Sequence, residues 1–175
     1  MAARLSIEFA MASNPEPQGS IRQVPIGRRC SACGLARMGL TSDNPDLNHW
    51  RRDVALLARQ AMGDQRPWRG PVYAELIFVV PRPQRMPPGR ADYPITKPDL
   101  DKLERAIYDA CAGHLGGKQV KGQPHLGLVY VDDAQIVEHH NRKRYPTAAD
   151  EVPGVIVRLR ALVPELEGIQ EEMFA

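Results

Sequence analysis

The sequence predicts a single small α+β domain in which helices pack on a mixed β-sheet. The chain has 175 residues, of which 43% are hydrophobic and 25% charged, enough for one domain with its own core and too few for two full ones. Two stretches with helical spacing of apolar residues lie among several shorter stretches with strand-like composition. Their order, roughly β-β-α-β-α-β-β-β-α with no internal repeat, favours a mixed sheet. We assign residues 1–162 to this domain and residues 163–175 to an acidic tail or short helix.

Residues 4–46 are predicted to hold two short strands and one insertion. The segment RLSIEFAM (4–11) alternates apolar and polar residues, as a half-buried strand does. A segment rich in proline and glycine ends it, and SIRQVPIG (20–27) follows as a second strand, which Pro25 restricts to a sheet edge. Residues 27–46 contain CSACG, several glycines and SDNPD, and we predict an irregular insertion there.

The middle of the chain is predicted to form a helix, a strand and a long loop. In residues 46–62, apolar side chains recur at spacings of three and four, which predicts an amphipathic helix. PVYAELIFVV (71–80) is predicted to be a strand. The segment at 81–98 then holds six prolines together with several basic residues, and long loops of compact domains are often functional.

The second half is predicted to begin with a helix and to end in strands. Residues 97–113, KPDLDKLERAIYDACAG, carry an apolar stripe at helical spacing and finish on a glycine suited to a helix end. LVYV (128–131) is predicted to be a buried strand, DDAQ a turn, residues 136–145 a return strand and residues 152–162 a last strand. In the return strand, alternation places four polar side chains on one face: Glu138, His140, Arg142 and Arg144.

Charge and cysteine usage indicate where the protein acts. The net charge is only +2, but basic residues are clustered, and they form either solvated faces or contacts for an anionic ligand. The loop cluster consists of Arg82, Arg85, Arg90 and Lys97, and the strand cluster of Arg142, Lys143 and Arg144. No apolar run is long enough to span a membrane, no signal-peptide core is present, and the three cysteines suit a reducing compartment. We therefore expect a cytoplasmic protein.

Two pairs of aspartates are the most informative residues. Asp99 and Asp101 open the second predicted helix, and Asp132 and Asp133 follow a predicted strand. Each pair alone has a structural explanation, because Asp101 with Glu104 fits a capping box and aspartate is common in tight turns.

Taken together, the two pairs favour a site for a divalent metal. Mg²⁺ prefers oxygen ligands and keeps several waters, so two or three carboxylates are enough to hold it. A metal held in this way can bind a phosphodiester oxygen and generate hydroxide. Arg105, one helical turn beyond the second aspartate, or Lys97 would then offset the charge that develops on the phosphate.

These motifs resemble the RusA-like Holliday-junction resolvases, Mg²⁺-dependent structure-specific endonucleases of bacteria, prophages and phages. The resemblance rests on KPDLDKL followed by an apolar helix and, after a spacer, on VYVDDAQIV. The first strand with PEPQGSIR and the helix with WRRD also look like the family's opening. The resemblance thus covers residues 4 to about 162, apart from the cysteine-containing insertion and the tail. It implies a small α+β fold, Mg²⁺ or Mn²⁺ as cofactor and branched DNA as substrate.

The resemblance also implies roles for individual residues. Asp99, Asp101 and Asp133 match the family's catalytic carboxylates and would bind the metal, with Asp132 as a neighbouring acidic residue. Arg105 stands where the family usually has a catalytic lysine. An arginine supplies positive charge but does not readily give up a proton, so this departure changes what the position can do.

A homodimer is implied as well, and it has a physical reason. Symmetric cutting of two strands of a four-way junction needs two active sites related by a two-fold axis. The loop cluster and the strand cluster then become candidate contacts to the DNA backbone. Such contacts give affinity without reading sequence, which suits an enzyme that selects a branched shape.

Cys30 and Cys33, in CSACG, form half of a possible zinc site. His49 and Cys111 are the candidates to complete it, and an incidental pair of cysteines is the alternative.

The end of the chain holds one further motif. Gln170, Met173 and Phe174 are spaced as in the short peptides that bind the bacterial sliding clamp. A packed terminal helix is the alternative explanation for these apolar residues.

Other functions remain as alternatives. A nuclease of the PD-(D/E)xK type would use Pro98-Asp99, but the sequence has no acidic residue two positions before a lysine. A glycosyltransferase would need a nucleotide-binding domain ahead of its D-x-D motif, and a phosphoaspartyl hydrolase would place that motif at a strand end. From a different class, a non-catalytic DNA-binding module would bind DNA equally well without Mg²⁺, with its aspartates only capping helices.

Overall fold

The computed structural model describes residues 5–42, 44–84, 93–113 and 128–162. Within these ranges the order of elements follows the predicted order closely. The strands are β1 (Ser6–Met11), β2 (Ile21–Ile26), β3 (Arg37–Ser42), β4 (Val72–Val79), β5 (Ile136–Arg144) and β6 (Gly154–Ala161). The helices are α1 (Leu47–Met62) and α2 (Leu100–Cys111), and a 3-10 helix covers Asp133–Gln135.

Four strands form one mixed sheet in the order β1-β6-β4-β5. β5 runs parallel to β4, whereas β6 is antiparallel to both β4 and β1. β4 is the most buried strand, as its central place between two neighbours requires. At the start of β6 the chain passes so close to β1 that a side chain on Gly154 would lie 2.3 Å from the Met11 carbonyl oxygen. The α+β class with a mixed sheet is confirmed.

The apolar stripes of both helices face a single core. α1 and α2 pack on each other, α1 contacts β1, and α2 contacts β5. Trp50, Val54 and Ala58 come from α1, and Leu103 and Ile107 from α2, all almost completely buried. This packing leaves the polar side of α2 facing away from the core, and Asp101 lies on that side.

Residues 128–131 are buried, as expected, but they do not form the predicted strand. Val129 and Tyr130 have no exposed surface, yet within the described ranges their only strand-like pairing is an isolated bridge between Tyr130 and Trp68. The Val129 N–H donates to the Cys111 carbonyl at 3.0 Å, and its carbonyl accepts from the Trp68 N–H at 2.7 Å. A short apolar run satisfies its backbone equally well beside a helix end, so composition alone does not identify a strand. β5 consequently returns alongside β4 and not alongside this segment.

The predicted insertion at residues 27–46 is only partly irregular. Its second half contains β3, which pairs with β2 along its whole length in a two-stranded antiparallel ribbon. Residues 27–36 join the two strands, and Cys30 and Cys33 lie in this tip. Arg85, Arg90, the spacer at 114–127 and the tail with Gln170 and Phe174 lie outside the described residues. Within the described part of the chain, no helix is long and apolar enough to cross a membrane.

The turn after β5 contains an ion pair that makes stability depend on pH. Arg144 binds Glu151 through two contacts of 2.8 and 2.5 Å, and the Thr147 N–H donates to the same carboxylate at 2.7 Å. These bonds lower the pKa of Glu151 from 4.5 to about 2. A carboxyl whose pKa is lowered by folding stabilises the protein above its unfolded pKa, and the contribution is lost as the pH falls through the folded value.

We therefore expect Glu151→Gln to flatten the fall in stability between pH 4.5 and about 2. Urea unfolding midpoints measured at a series of pH values would test this. Asp150→Asn, which removes the neighbouring exposed carboxylate, is the matched control. The same pH slope in Glu151→Gln as in the wild type would contradict the assignment.

Candidate active site

The start of α2 presents the first pair of aspartates. Asp99 is the residue before the helix, in an extended conformation, and Asp101 lies in the first turn. Lys143 of β5 fixes the chain that leads into them, because its Nζ donates to the carbonyl oxygens of Thr96 at 2.7 Å and Pro98 at 2.8 Å. The position of Asp99 is therefore set by a strand that lies far away in the sequence.

The expected capping role does not account for these aspartates. The helix begins at Leu100, so Asp101 is inside the first turn and the predicted capping box with Glu104 is wrong. Asp99 occupies the capping position, but its side chain accepts no hydrogen bond from the helix. Its nearest ionic partner is the Lys102 ammonium at 3.9 Å. Asp101 is exposed and makes no hydrogen bond or ion pair within the described part of the chain. Both carboxylates are thus available to a ligand.

Of the second pair of aspartates, Asp132 has a structural role and Asp133 is available to a ligand. Asp132 caps the 3-10 helix, since its Oδ1 accepts from the Ala134 N–H at 2.9 Å. Gln135 completes a capping box by accepting from the Asp132 N–H at 3.0 Å, and its Nε2 donates to the Trp68 carbonyl at 3.0 Å. Asp133 takes no part in this arrangement and is half-buried. Of the two, Asp133 is therefore the one free to bind a ligand.

The 3-10 helix packs against α2, but the three carboxylates do not form one cluster. The Tyr130 hydroxyl donates to the Tyr108 carbonyl at 3.1 Å, which ties the segment before the 3-10 helix to the second half of α2. Burial raises the pKa of Tyr130, and the nearby charge of Asp133 adds to this effect. Among the residues described, no three histidine, cysteine, aspartate or glutamate side chains are close enough to hold one metal ion.

A polar network that the sequence did not reveal lies beside Asp101. Glu104 on α2 lies 3.7 Å from His139 Nδ1, and the Tyr108 hydroxyl is 3.1 Å from the same nitrogen. Burial raises the pKa of Glu104, and the charge of Asp101 raises it further, whereas Asn141 and His139 oppose this change. Of the two adjacent histidines of β5, His139 is the one that contacts α2.

The strand cluster is mostly engaged within the protein. Lys143 holds the approach to α2, and Arg144 is bound to Glu151. Arg142 is exposed. Of these three expected DNA contacts, the structure thus presents only Arg142 as an exposed side chain.

Other cations surround the start of α2. Lys97 and Arg105 are exposed, and Arg105 is near enough to Arg51 for its charge to lower the pKa of that buried guanidinium. Arg82, of the loop cluster, lies over the ring of Tyr145, 4.8 Å from its centroid. Lys97, Lys102 and Arg105 therefore provide the positive charge near the first pair of aspartates, as a phosphate-binding site requires.

A cleft of about 420 Å³ adjoins Asp99. Its far wall is the segment after β1, which is held in place when the Gln18 N–H donates to the Lys102 carbonyl at 2.9 Å. Asn44 supports the same wall by donating to Glu16 at 2.9 Å. The cleft is lined by Pro15, Pro17, Gln18, Gly19, Ser20, Asn44, Lys97, Pro98, Asp99 and Lys102.

A buried ion pair between α1 and α2 holds the Gln18 side chain of this wall. Arg51 of α1 pairs with Asp109 of α2 and also donates to the Gln18 side chain. Burial lowers the pKa of Arg51, and the Asp109 carboxylate opposes that change. Spacing gave a weak signal for Arg51, which lies four residues after Leu47 on the buried stripe. Its partner, 58 positions along the chain, could not be identified from one sequence.

Comparison with known proteins identifies a family for this chain. No curated protein matches the chain. The family model described as Endodeoxyribonuclease RusA matches residues 27–120. The matched segment is more than half of the chain and includes β3, α1, β4 and α2 with Asp99 and Asp101, whereas Asp132 and Asp133 lie beyond it. The chain therefore belongs to the RusA endodeoxyribonuclease family.

Proposed function

We propose that the protein is a metal-dependent, structure-specific endonuclease that resolves four-way DNA junctions by paired phosphodiester hydrolysis. The observation that carries this proposal is the state of Asp99 and Asp101. Both are exposed at the start of α2, Asp99 lines the cleft, and neither carboxylate caps the helix. In a member of a nuclease family, carboxylates held in this way are best explained as metal ligands.

Asp99 and Asp101 would hold Mg²⁺, for which Mn²⁺ would substitute. The donors fit this ion, since they are hard oxygen ligands exposed to water, and Mg²⁺ is commonly held by one or two carboxylates, substrate phosphate and water. Asp133 is the third carboxylate that the family resemblance assigns, and Asp132 is a weaker candidate because its carboxylate caps the 3-10 helix. The bound ion would supply Lewis-acid stabilisation of the phosphate and an activated water.

The chain's own cations would act on the phosphate. Arg105 lies one helical turn after Asp101. An arginine does not readily give up a proton, so it would stabilise negative charge without transferring a proton. Lys97, on the wall of the cleft, would bind the DNA backbone next to the scissile bond, and Arg142 would bind it farther away. Such contacts select position and shape and not sequence.

A homodimer would give the reaction its symmetry. Two copies related by a two-fold axis would present two sites to opposing strands of a junction, and the two cuts would then be paired. The setting would be the cytoplasm of a bacterial or phage-infected cell, where branched DNA arises during recombination and repair.

The test is cleavage of a synthetic four-way junction. With Mg²⁺ we expect paired nicks at symmetric positions on opposing strands, no cutting of a linear duplex of the same sequence, and no cutting in EDTA. The linear duplex is the matched control for shape. Binding of the junction without cleavage in either Mg²⁺ or Mn²⁺ would instead favour a non-catalytic DNA-binding module.

A further inference from the structure

The tip of the β2–β3 ribbon holds two exposed cysteines in a tight turn. The Cys30 N–H donates to the Leu35 carbonyl at 2.8 Å, and the Gly34 N–H donates to the Cys30 carbonyl at 2.9 Å. Gly34 has a φ of 69°, a left-handed conformation that side chains rarely adopt. The backbone therefore folds around Cys30 and Cys33 and presents both to solvent.

The two cysteines lie three residues apart on this one turn. The hydrogen bond from the Gly34 N–H to the Cys30 carbonyl closes the chain on itself, with Cys33 inside the closed turn, and both thiols are free and exposed. A pair of cysteines at this spacing is what a short turn contributes to a structural zinc site. The turn thus presents two soft ligands close together in the chain. Zn²⁺ in structural sites takes four such ligands in a tetrahedron.

No third ligand is supplied by the described part of the same chain. Within it, no group of three potential metal ligands occurs, so neither His49 nor Cys111 joins the pair as expected. Cys111, the last residue of α2, is fully buried, and burial raises the pKa of its thiol to about 12. The pair at the ribbon tip is thus half of a site.

The same tip carries large apolar side chains that are exposed to solvent. Leu35 is 71% exposed, Met38 49% and Ile26 42%, all within a few residues of the thiols. The ribbon is a separate two-stranded sheet, so these side chains have no core of their own. A second ribbon tip would cover them and would supply two further thiolates.

We propose that Cys30 and Cys33 of two copies of this chain together bind one zinc ion, which joins the two ribbon tips. The two-fold axis of such a pair passes through the metal and converts each half of the site into a closed set of four thiolates. The exposed apolar residues beside the thiols would pack across the same axis. The site is structural and takes no part in the proposed cleavage reaction.

The test is the zinc content and the association state of the full chain. We expect one zinc ion per two chains by elemental analysis, a dimer by analytical ultracentrifugation, and dissociation when a strong zinc chelator is added. Replacement of zinc with Co²⁺ should give the absorption of a tetrahedral site with four thiolates. Cys30→Ser combined with Cys33→Ser should lose both the metal and the zinc-dependent association, and Ser31→Ala, in the same turn, should keep both.

A second variant distinguishes the contribution of the metal to dimerisation from that of the apolar side chains. Leu35→Ser leaves the thiols in place, so it should retain four-thiolate cobalt absorption at high protein concentration but dimerise more weakly. One zinc per chain, a cobalt site with only two thiolates, or no metal at all would overturn the proposal. These readouts do not depend on DNA cleavage, so they stand whether or not the chain resolves junctions.

Discussion

Replacing Asp101 with asparagine is expected to lower the rate of junction cleavage by at least about 10²–10³-fold, the effect of removing one essential electrostatic group from an active site. The amide keeps the size of the side chain but removes the charge that would hold the metal. Junction binding should persist or tighten, because one negative charge is lost from a surface that receives phosphates. Single-turnover cleavage in Mg²⁺ and gel-shift binding in Ca²⁺ are the two measurements.

This loss would not come from unfolding. Asp101 is exposed, has no partner among the described residues, and contributes through the helix dipole only about 0.3–1 kcal/mol. Asp64→Asn, which neutralises an exposed aspartate just after α1, is the matched control and should cleave as the wild type does. Full activity in Asp101→Asn would exclude a metal-binding role for this residue and would leave the arrangement at the start of α2 without a function.

Replacing Asp109 with asparagine is expected to destabilise the fold by about 3–5 kcal/mol, because it leaves the buried Arg51 guanidinium without its counter-ion. The two side chains are only 8% and 17% exposed, so water compensates little of the loss. The double variant Arg51→Met with Asp109→Leu should recover much of the stability, since apolar residues of similar volume often replace a buried ion pair at little cost. Urea unfolding of the wild type, Arg51→Met, Asp109→Leu and the double variant gives the coupling energy.

The matched control is Arg52→Met, which removes the exposed arginine next to Arg51 on α1. It should unfold close to the wild type. A double variant less stable than both single variants, or an Asp109→Asn protein as stable as the wild type, would mean that Arg51 is stabilised by other contacts. Because Arg51 also donates a hydrogen bond to the Gln18 side chain, Arg51→Met should in addition loosen the wall of the cleft.

The parts of the fold that sequence predicted well are those set by local periodicity. α1, α2 and β4 carry long and regular apolar patterns, and the structure places them within three residues of the predicted bounds. β3 was missed because RMGLTS is short, contains a glycine and has only two apolar residues, and it is defined by its pairing with β2. The sequence predicts a strand at residues 128–131 because a four-residue apolar run looks the same wherever it is buried.

The candidate site was predictable in its chemistry and much less in its partners. Sequence singled out all four aspartates, and the structure separates Asp132, which caps the 3-10 helix, from Asp133, which does not. The spacing of Asp132 and Gln135 matches a capping box and could have given this result. By contrast, the sequence predicts Lys143 and Arg144 to be surface charges. Their partners within the protein are set by tertiary packing, which the sequence does not show.

The place of β4 in the sheet has a consequence for how the protein is made. Both of its hydrogen-bonded neighbours, β5 and β6, come later in the chain, and among the described strands β1 pairs only with β6. During synthesis, β4 therefore emerges from the ribosome as a strongly apolar strand with neither edge paired, and it stays so until residue 136 and beyond have been translated. Unpaired apolar strands of this kind promote aggregation and recruit chaperones. Slow translation between β4 and β5 would thus lower the yield of folded enzyme.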